Sequence, residues 1–390
     1  MNRKEFAYKN IQKSWNILEF APYFNPLYPK KGGYKTEIVD VISSRELIAK
    51  AQRDPMIEDW SKIEDVDYIA TSDYTKTIGK LKYYDLIAAS HVIEHTTDII
   101  AFLNDCSSLL KDDGIVRLFI PDKRYDFDCF RECVTTRTAI DTHYGREMKT
   151  VHSPGTVTEA LFRGCWTNEK STYIANSAYA YLADYMNLSN SNTQSKFQKI
   201  KEILNGFDEN IYLDVHSWVV TPKSFEIMIY ELNVLGFIDL YIDSIYTVPR
   251  AVEFFVDLRK GRIEGDDPDR RLSLYIDRKK EMIEEHEDAL AICEIKKILY
   301  ENNRPHIYIY GTGGGVDRIL QILGVLKAEY EAHIVSDGMR QERVYNGHPV
   351  IELSEFEDSD DCIVLMGIEK EEYRTEILPV LEKRKLKVFF

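Results

Sequence analysis

Over residues 14–120, short apolar runs alternate with helical or loop segments, and that alternation limits the fold more than any other feature of the chain. Strands are expected at 14–19, 37–41, 66–69, 84–89 and 114–120, with helices at 44–52 and 98–110 between them. Strands that alternate with helices form βαβ units, and such units build a parallel sheet covered on both faces. The segment Lys111-Asp112-Asp113-Gly114 closes the second helix, and Gly114 is the expected stop. The fold class is therefore α/β: a doubly wound, mostly parallel sheet.

The rhythm is lost over 125–210, which carries aromatics, Thr and Asn and the polar run Asn187-Leu188-Ser189-Asn190-Ser191-Asn192-Thr193-Gln194-Ser195. This region reads as a mostly helical insertion or lid with a polar loop. A helix at 222–235 and strands at 238–248 and 252–259 follow. The last two, joined by Pro249-Arg250-Ala251, read as an antiparallel hairpin at the sheet edge, a common addition to a doubly wound sheet. Residues 261–269 form a charged linker. A charged helix at 270–302 has loosely periodic apolar positions (Leu272, Ile276, Met282 or Ile283, Leu290, Ile298), and reads as a solvated connector, with a dimer coiled coil as the alternative. Strands at 306–310, 332–335, 362–366 and 385–390, with a helix to about 326, make a second, small Rossmann-like unit. The expected domains are thus 1–260, a connector at 261–303, and 304–390.

Charge narrows the partners. A net charge of −15 argues against nucleic acid and against an anionic membrane, since both require concentrated Lys and Arg. No apolar run approaches the roughly 20 residues of a membrane-spanning helix, and Met1-Asn2-Arg3-Lys4-Glu5 is not followed by a signal-like apolar segment. Six cysteines without a Cys-x-x-Cys pair suit a reducing compartment. A cytoplasmic chain is expected, with a homo-oligomer left open.

Chemistry-bearing residues gather at the ends of the predicted strands. Glu19 closes the first, ahead of Ala21-Pro22-Tyr23-Phe24-Asn25; Asp40 ends the second, where a carboxylate can accept two ribose hydroxyls; Ser72-Asp73 follows the third; the fourth runs into Ser90-His91-Val92-Ile93-Glu94-His95. Together with Ile120-Pro121-Asp122-Lys123-Arg124-Tyr125-Asp126-Phe127-Asp128, these strings resemble class I S-adenosylmethionine-dependent methyltransferases of bacterial surface-glycan gene sets. The resemblance covers about 16–131 and, more weakly, 210–259. It implies a seven-stranded sheet ending in a hairpin, S-adenosylmethionine as cofactor, and methyl transfer to an oxygen or nitrogen of a saccharide, nucleotide sugar or glycan precursor. It further implies that Glu19, Ala21, Pro22, Tyr23, Asn25, Asp40, Ser72 and Asp73 line the cofactor, with Ser90 and His91 beneath its sulfonium. The family loop usually carries Gly where this chain has Ala21, and a methyl group there is tolerated at negative φ. The alternative is a non-catalytic methyltransferase-like module in a glycan-assembly complex.

His91-Val92-Ile93-Glu94-His95 also fits His-x-x-Glu-His, in which two histidines of one helix hold zinc and the glutamate is the base. No metal is expected, because the motif directly follows a buried strand. A hydroxyl acceptor must lose a proton, so His95, Asp122 and His91 are the leading catalytic candidates, with His143, His152 and His216 behind them. Lys123, Arg124 and Arg131, with His216, are candidates for an anionic acceptor; pairing with Asp126, Asp128 and Glu132 is the competing expectation. Tyr173, Tyr179, Tyr181, Tyr185 and Trp218 offer stacking faces for a sugar, or core. In the second unit, Gly311-Thr312-Gly313-Gly314-Gly315-Val316 partly fits Gly-x-Gly-x-x-Gly between strand and helix; Gly311, Gly313, Gly314 and Asp337 are candidates for a nucleotide there, beside a purely structural reading. That segment, with Gly347-His348-Pro349-Val350-Ile351, resembles small Rossmann-like domains attached to bacterial sugar-modifying enzymes.

Overall fold

The computed structural model describes the chain except for residues 55–56, 58, 130, 146–150, 164–197, 199–200, 203, 207–211, 249–250, 302–305, 326–327, 358–361, 369–370, 385–386 and 390. The polar run at 187–195, the hairpin turn at 249–250 and Tyr173, Tyr179, Tyr181 and Tyr185 lie outside the described residues. Two compact units meet in sequence between Met282 and Ile283.

The first unit is built on strands β1 (Asn16–Phe20), β2 (Lys35–Asp40), β3 (Tyr68–Ile69), β4 (Tyr84–Ser90), β5 (Leu110–Pro121), β6 (Leu240–Tyr246) and β7 (Glu253–Lys260). Their order is β3-β2-β1-β4-β5-β7-β6. The first five are mutually parallel, and β7 runs antiparallel to both β5 and β6. This is the order and polarity of the class I methyltransferase sheet. The expected hairpin is present, with β6 at the edge and β7 inserted beside β5.

Side chains alternate across the sheet, and each set has its own cover. Leu18, Phe20, Ile87, Ala89, Val116, Leu118 and Ile120 pack against Ile99, Ile100 and Leu103 of the helix Ile99–Leu109 and against Phe225, Met228 and Leu232 of the helix Pro222–Val234. On the other face Ile17, Leu86, Ala88, Phe119 and Phe255 pack against Phe6 and Ala7. Those two belong to α1 (Arg3–Tyr8), an element not expected from the sequence. Burying a ring such as Phe6 is worth about 1.5–3 kcal/mol, and Leu27 and Tyr28 join it in covering this face.

Gly114 does not stop the preceding helix. That helix ends at Leu109 with Leu110 already extended (φ −74°, ψ 144°), and β5 begins at once. Gly114 is small for another reason: a Cβ there would come within 2.7 Å of Leu110 and 3.1 Å of the Asp85 carbonyl.

Within the insertion, helices Thr136–Tyr144 and Pro154–Arg163 are described. The charged connector is a helix over Pro268–Glu301, and its first half is more than a solvated spacer. Leu274 and Glu281 are buried, and Glu281 accepts from Thr221 Oγ1 at 2.6 Å and Arg278 Nη1 at 2.9 Å. The expected stripe residues Leu272, Ile276 and Met282 are instead exposed.

The second unit has strands β8 (His306–Tyr310), β9 (Ala332–Val335), β10 (Val344–Tyr345), β11 (His348–Glu352), β12 (Cys362–Met366) and β13 (Lys387–Phe389), in the order β10-β11-β9-β8-β12-β13. All pairs but β10–β11 are parallel. Among the described residues no helix is long and apolar enough to cross a membrane.

Candidate functional site

Strained backbone marks the carboxyl ends of the central strands. Ala21 and Tyr23 after β1, Asp73 after β3 and His91 after β4 have φ of 42°, 48°, 52° and 52°. A left-handed non-glycine residue costs roughly 1–2 kcal/mol, and such residues gather where ligands are held. The negative φ that would have suited a methyl group at Ala21 is not what the loop adopts.

Glu19 holds that loop. Its buried carboxylate accepts the amides of Leu27 at 2.6 Å and Tyr28 at 3.1 Å. Burial raises its pKa to about 7. Both oxygens are thus turned to the chain's own backbone, and Glu19 shapes the loop rather than facing a ligand. Ala21 N–H donates to the Val39 carbonyl at 2.8 Å, and Asn25 N–H to Pro22 at 3.0 Å. The Tyr23 hydroxyl is buried without a hydrogen-bond partner among the described residues. Asp40 is 5% exposed, its Oδ1 accepts Val41 N–H at 2.7 Å, and burial raises its pKa. Ser72 is half-buried, and Asp73 is exposed and precedes the helix Tyr74–Ile78 without capping it.

At the end of β4, Ser90 Oγ accepts from Arg3 Nη2 at 2.6 Å. Glu253, which opens β7, takes the other branch of Arg3 and lies 2.9 Å from His91 Nε2. Burial alone would raise the Glu253 pKa, but His91 and Arg3 hold it below its ordinary value. The residues after His91 form one 3-10 turn, Ile93–His95, rather than an α-helix. With His91 engaged by Glu253, the two-histidine zinc helix is not formed.

Glu94 and His95 turn instead toward residues 214–218. His95 Nδ1 lies 2.8 Å from Asp214 Oδ1, and His216 Nδ1 lies 2.6 Å from Asp128 Oδ2. Burial would lower the His95 pKa, yet Asp214 and Glu94 together raise it; the same His95 contact holds Asp214 down at about 2. Asp128 is also bonded to Arg131 Nη1 at 2.8 Å, and the contacts with His216 and Arg131 outweigh its burial and lower its pKa. Asp126, buried beside Asp128, is pushed well up by burial. His152 bonds Ser217 Oγ at 2.6 Å, and burial takes it down to about 4.

Several expected roles meet geometry that opposes them. Asp122 is 3% exposed and gripped by Arg124, from Nε at 2.9 Å and Nη2 at 2.6 Å, so neither the base nor the anion-binding cation stands free. Arg131 is 1% exposed and committed to Asp128. Lys123 is buried, its amide bonded to the Val220 carbonyl. His143 binds Asp98 at the start of the helix Ile99–Leu109. Trp218 sits in the core with its indole N–H on the Thr96 carbonyl, not as a stacking face. Glu253, Asp214 and Arg3 were missed, and no local motif could have found them, because each reaches the site from a distant segment.

In the second unit, Gly311 (φ 116°) directly follows β8, and Gly313 precedes the helix Gly314–Val325, which Gly314 opens. The Gly311 carbonyl lies 2.9 Å from Nδ1 of the fully buried His333, and Asp337 Oδ1 accepts Ser354 N–H at 2.8 Å. These bonds brace strand ends and a turn.

No family model matches the chain, and no curated protein does. Solved structures similar to it include a Zn-dependent alcohol dehydrogenase from Rhodobacter sphaeroides (12% identity, 66% of this chain, 88% of that one, TM-score 0.34). Others are S-adenosylmethionine-dependent methyltransferases from Listeria monocytogenes (11%, 66% and 99%, 0.33) and Methanosarcina mazei (10%, 65% and 95%, 0.31). Likenesses at this level carry no weight; the fold rests on strand order and polarity.

Proposed function

We propose that the first unit binds S-adenosylmethionine and transfers its methyl group to an oxygen or nitrogen of a saccharide, nucleotide sugar or glycan precursor. One observation carries this reading: left-handed residues at the ends of β1, β3 and β4, with Asp40 buried at the end of β2, in a sheet of methyltransferase order. Ligands of open α/β sheets bind at that edge. Asp40 would accept the ribose hydroxyls while its Oδ1 keeps the turn amide, and the unpartnered Tyr23 hydroxyl would gain a bond. Held by Asp40 and the Ala21–Asn25 loop, the cofactor would supply an electrophilic methyl group for in-line transfer to the acceptor. His91, bonded to Glu253 through Nε2, would take the acceptor's proton. The saccharide rests on resemblance of the sequence alone.

Calorimetry with S-adenosylhomocysteine tests the cofactor, and folded protein that shows no heat at millimolar ligand would end the proposal. The second reading, a non-catalytic module, is favoured by Arg3, whose cation sits on Ser90 where a sulfonium would lie. Under it, Asp40→Asn leaves biological activity intact.

A further inference from the structure

Glu94 is 1% exposed, and neither carboxylate oxygen has a hydrogen-bond partner among the described residues. A buried, unsatisfied carboxylate is expensive. Around it stand imidazole nitrogens beyond hydrogen-bonding range: His95 Nε2 at 3.7 Å and His216 Nε2 at 3.9 Å from Oε1. One ligand atom from each of Glu94, His95 and His216 falls within 4.8 Å of the others. A zinc ion at about 2.0–2.2 Å from three ligands sets them roughly 3.3–3.5 Å apart, so a small closure completes the set.

We infer that Glu94, His95 and His216 form a site for a divalent transition-metal ion of the zinc class, with a coordination position left open. Each histidine has a carboxylate at its Nδ1, as an ion-pair contact for His95 and as a hydrogen bond for His216. Asp214 stands behind Nδ1 of His95 and Asp128 behind Nδ1 of His216, which leaves each Nε2 directed at Glu94. A carboxylate behind a metal-bound imidazole fixes its tautomer and raises its basicity. The backbone supports the same arrangement, since the Glu94 carbonyl accepts Ser217 N–H at 2.7 Å and Trp218 N–H at 3.2 Å, clamping the two ligand-bearing segments together. Two imidazoles and one carboxylate suit zinc, and three protein ligands leave room for water or a substrate oxygen. His91 Nδ1 also lies 3.7 Å from Glu94 Oε1, but the three-ligand grouping leaves His91 out, and its Nε2 is held by Glu253. A neighbouring set, Asp126, Asp128 and His216, would require the Nδ1 that already bonds Asp128, and so competes poorly.

The test uses full-length, tag-free protein stripped by a chelator and titrated with Co2+ in the absence of cofactor. One equivalent should give visible d–d absorption, and Zn2+ should displace it. Glu94→Gln and His216→Ala should weaken uptake by more than about 100-fold, and Asp128→Asn by about 10–100-fold. His91→Ala should retain it. Thermal unfolding of each variant in chelator separates lost ligation from lost fold. Absence of a d–d band in the wild type overturns the site, as does equal uptake by folded His216→Ala. Loss in His91→Ala with retention in His216→Ala would overturn it in favour of the contiguous motif. Because cofactor is left out, these outcomes do not depend on methyl transfer.

Discussion

Glu19 accepts the amide of Leu27 across eight residues at 2.6 Å, and this bond closes the loop on which Ala21 is held left-handed. The expected consequence is that Ala21→Gly stabilises the protein. Strain of about 1–2 kcal/mol is released, against an entropic loss of about 0.5–1 kcal/mol, for a net gain near 0.5–1 kcal/mol. Urea unfolding measures it; a loss of 1 kcal/mol would show that the loop does not hold Ala21 in that conformation.

The same carboxyl predicts a pH dependence. Its folded pKa of about 7 lies above the ordinary 4.5, so the folded state retains a proton that the unfolded chain releases. Stability from this group is greatest below pH 4.5 and is lost as pH rises to about 7, by about 3 kcal/mol. Glu19→Gln keeps an acceptor and does not titrate. Its stability relative to the wild type should therefore rise by about that amount between pH 4.5 and 7.5. A gap that stays constant with pH would rule out the titration.

Asp40 is expected to matter for cofactor affinity more than for folding. Asp40→Asn retains the oxygen that accepts Val41 N–H but loses the charge, and hydrogen bonds to charged groups are worth about 1.5–3 kcal/mol. Affinity for S-adenosylhomocysteine should drop about 10–100-fold with little change in unfolding midpoint. Unchanged affinity would place the ribose elsewhere.

Arg117 is 1% exposed, directly opposite Asp257 in the β5–β7 register, and bonds it from Nε and Nη2, both at 2.8 Å. Its Nη1 also donates to the Phe6 and Ala7 carbonyls, which ties down the end of α1. Arg117→Met should cost about 3–5 kcal/mol, because it strands the Asp257 charge in the core. Adding Asp257→Leu should recover much of the loss. Chemical denaturation of the single and double variants decides, and a loss of similar size in both would refute the stranded charge.

The strands at 306–310, 332–335 and 362–366 were legible to the residue, and those of the first unit to within a few, because burial on both faces writes itself as an apolar run. α1 was not legible: six residues give too short a period, and its place depends on Arg117 and Phe255, more than a hundred residues away. Gly114 misled because helix stops and crowded strand glycines look alike in one dimension.

The chain's local pattern was enough to name the α/β class, the hairpin, and strand ends carrying Asp40, Ser90 and His91, since periodicity and turn chemistry act over a few residues. Only the tertiary structure decided which side chains meet. Neither His216 behind Glu94, nor Glu253 beside His91, nor the left-handed turn at Ala21 has a local signature. Each follows from sheet register and close packing, which in the His91–Glu253 pair bring together residues 162 positions apart.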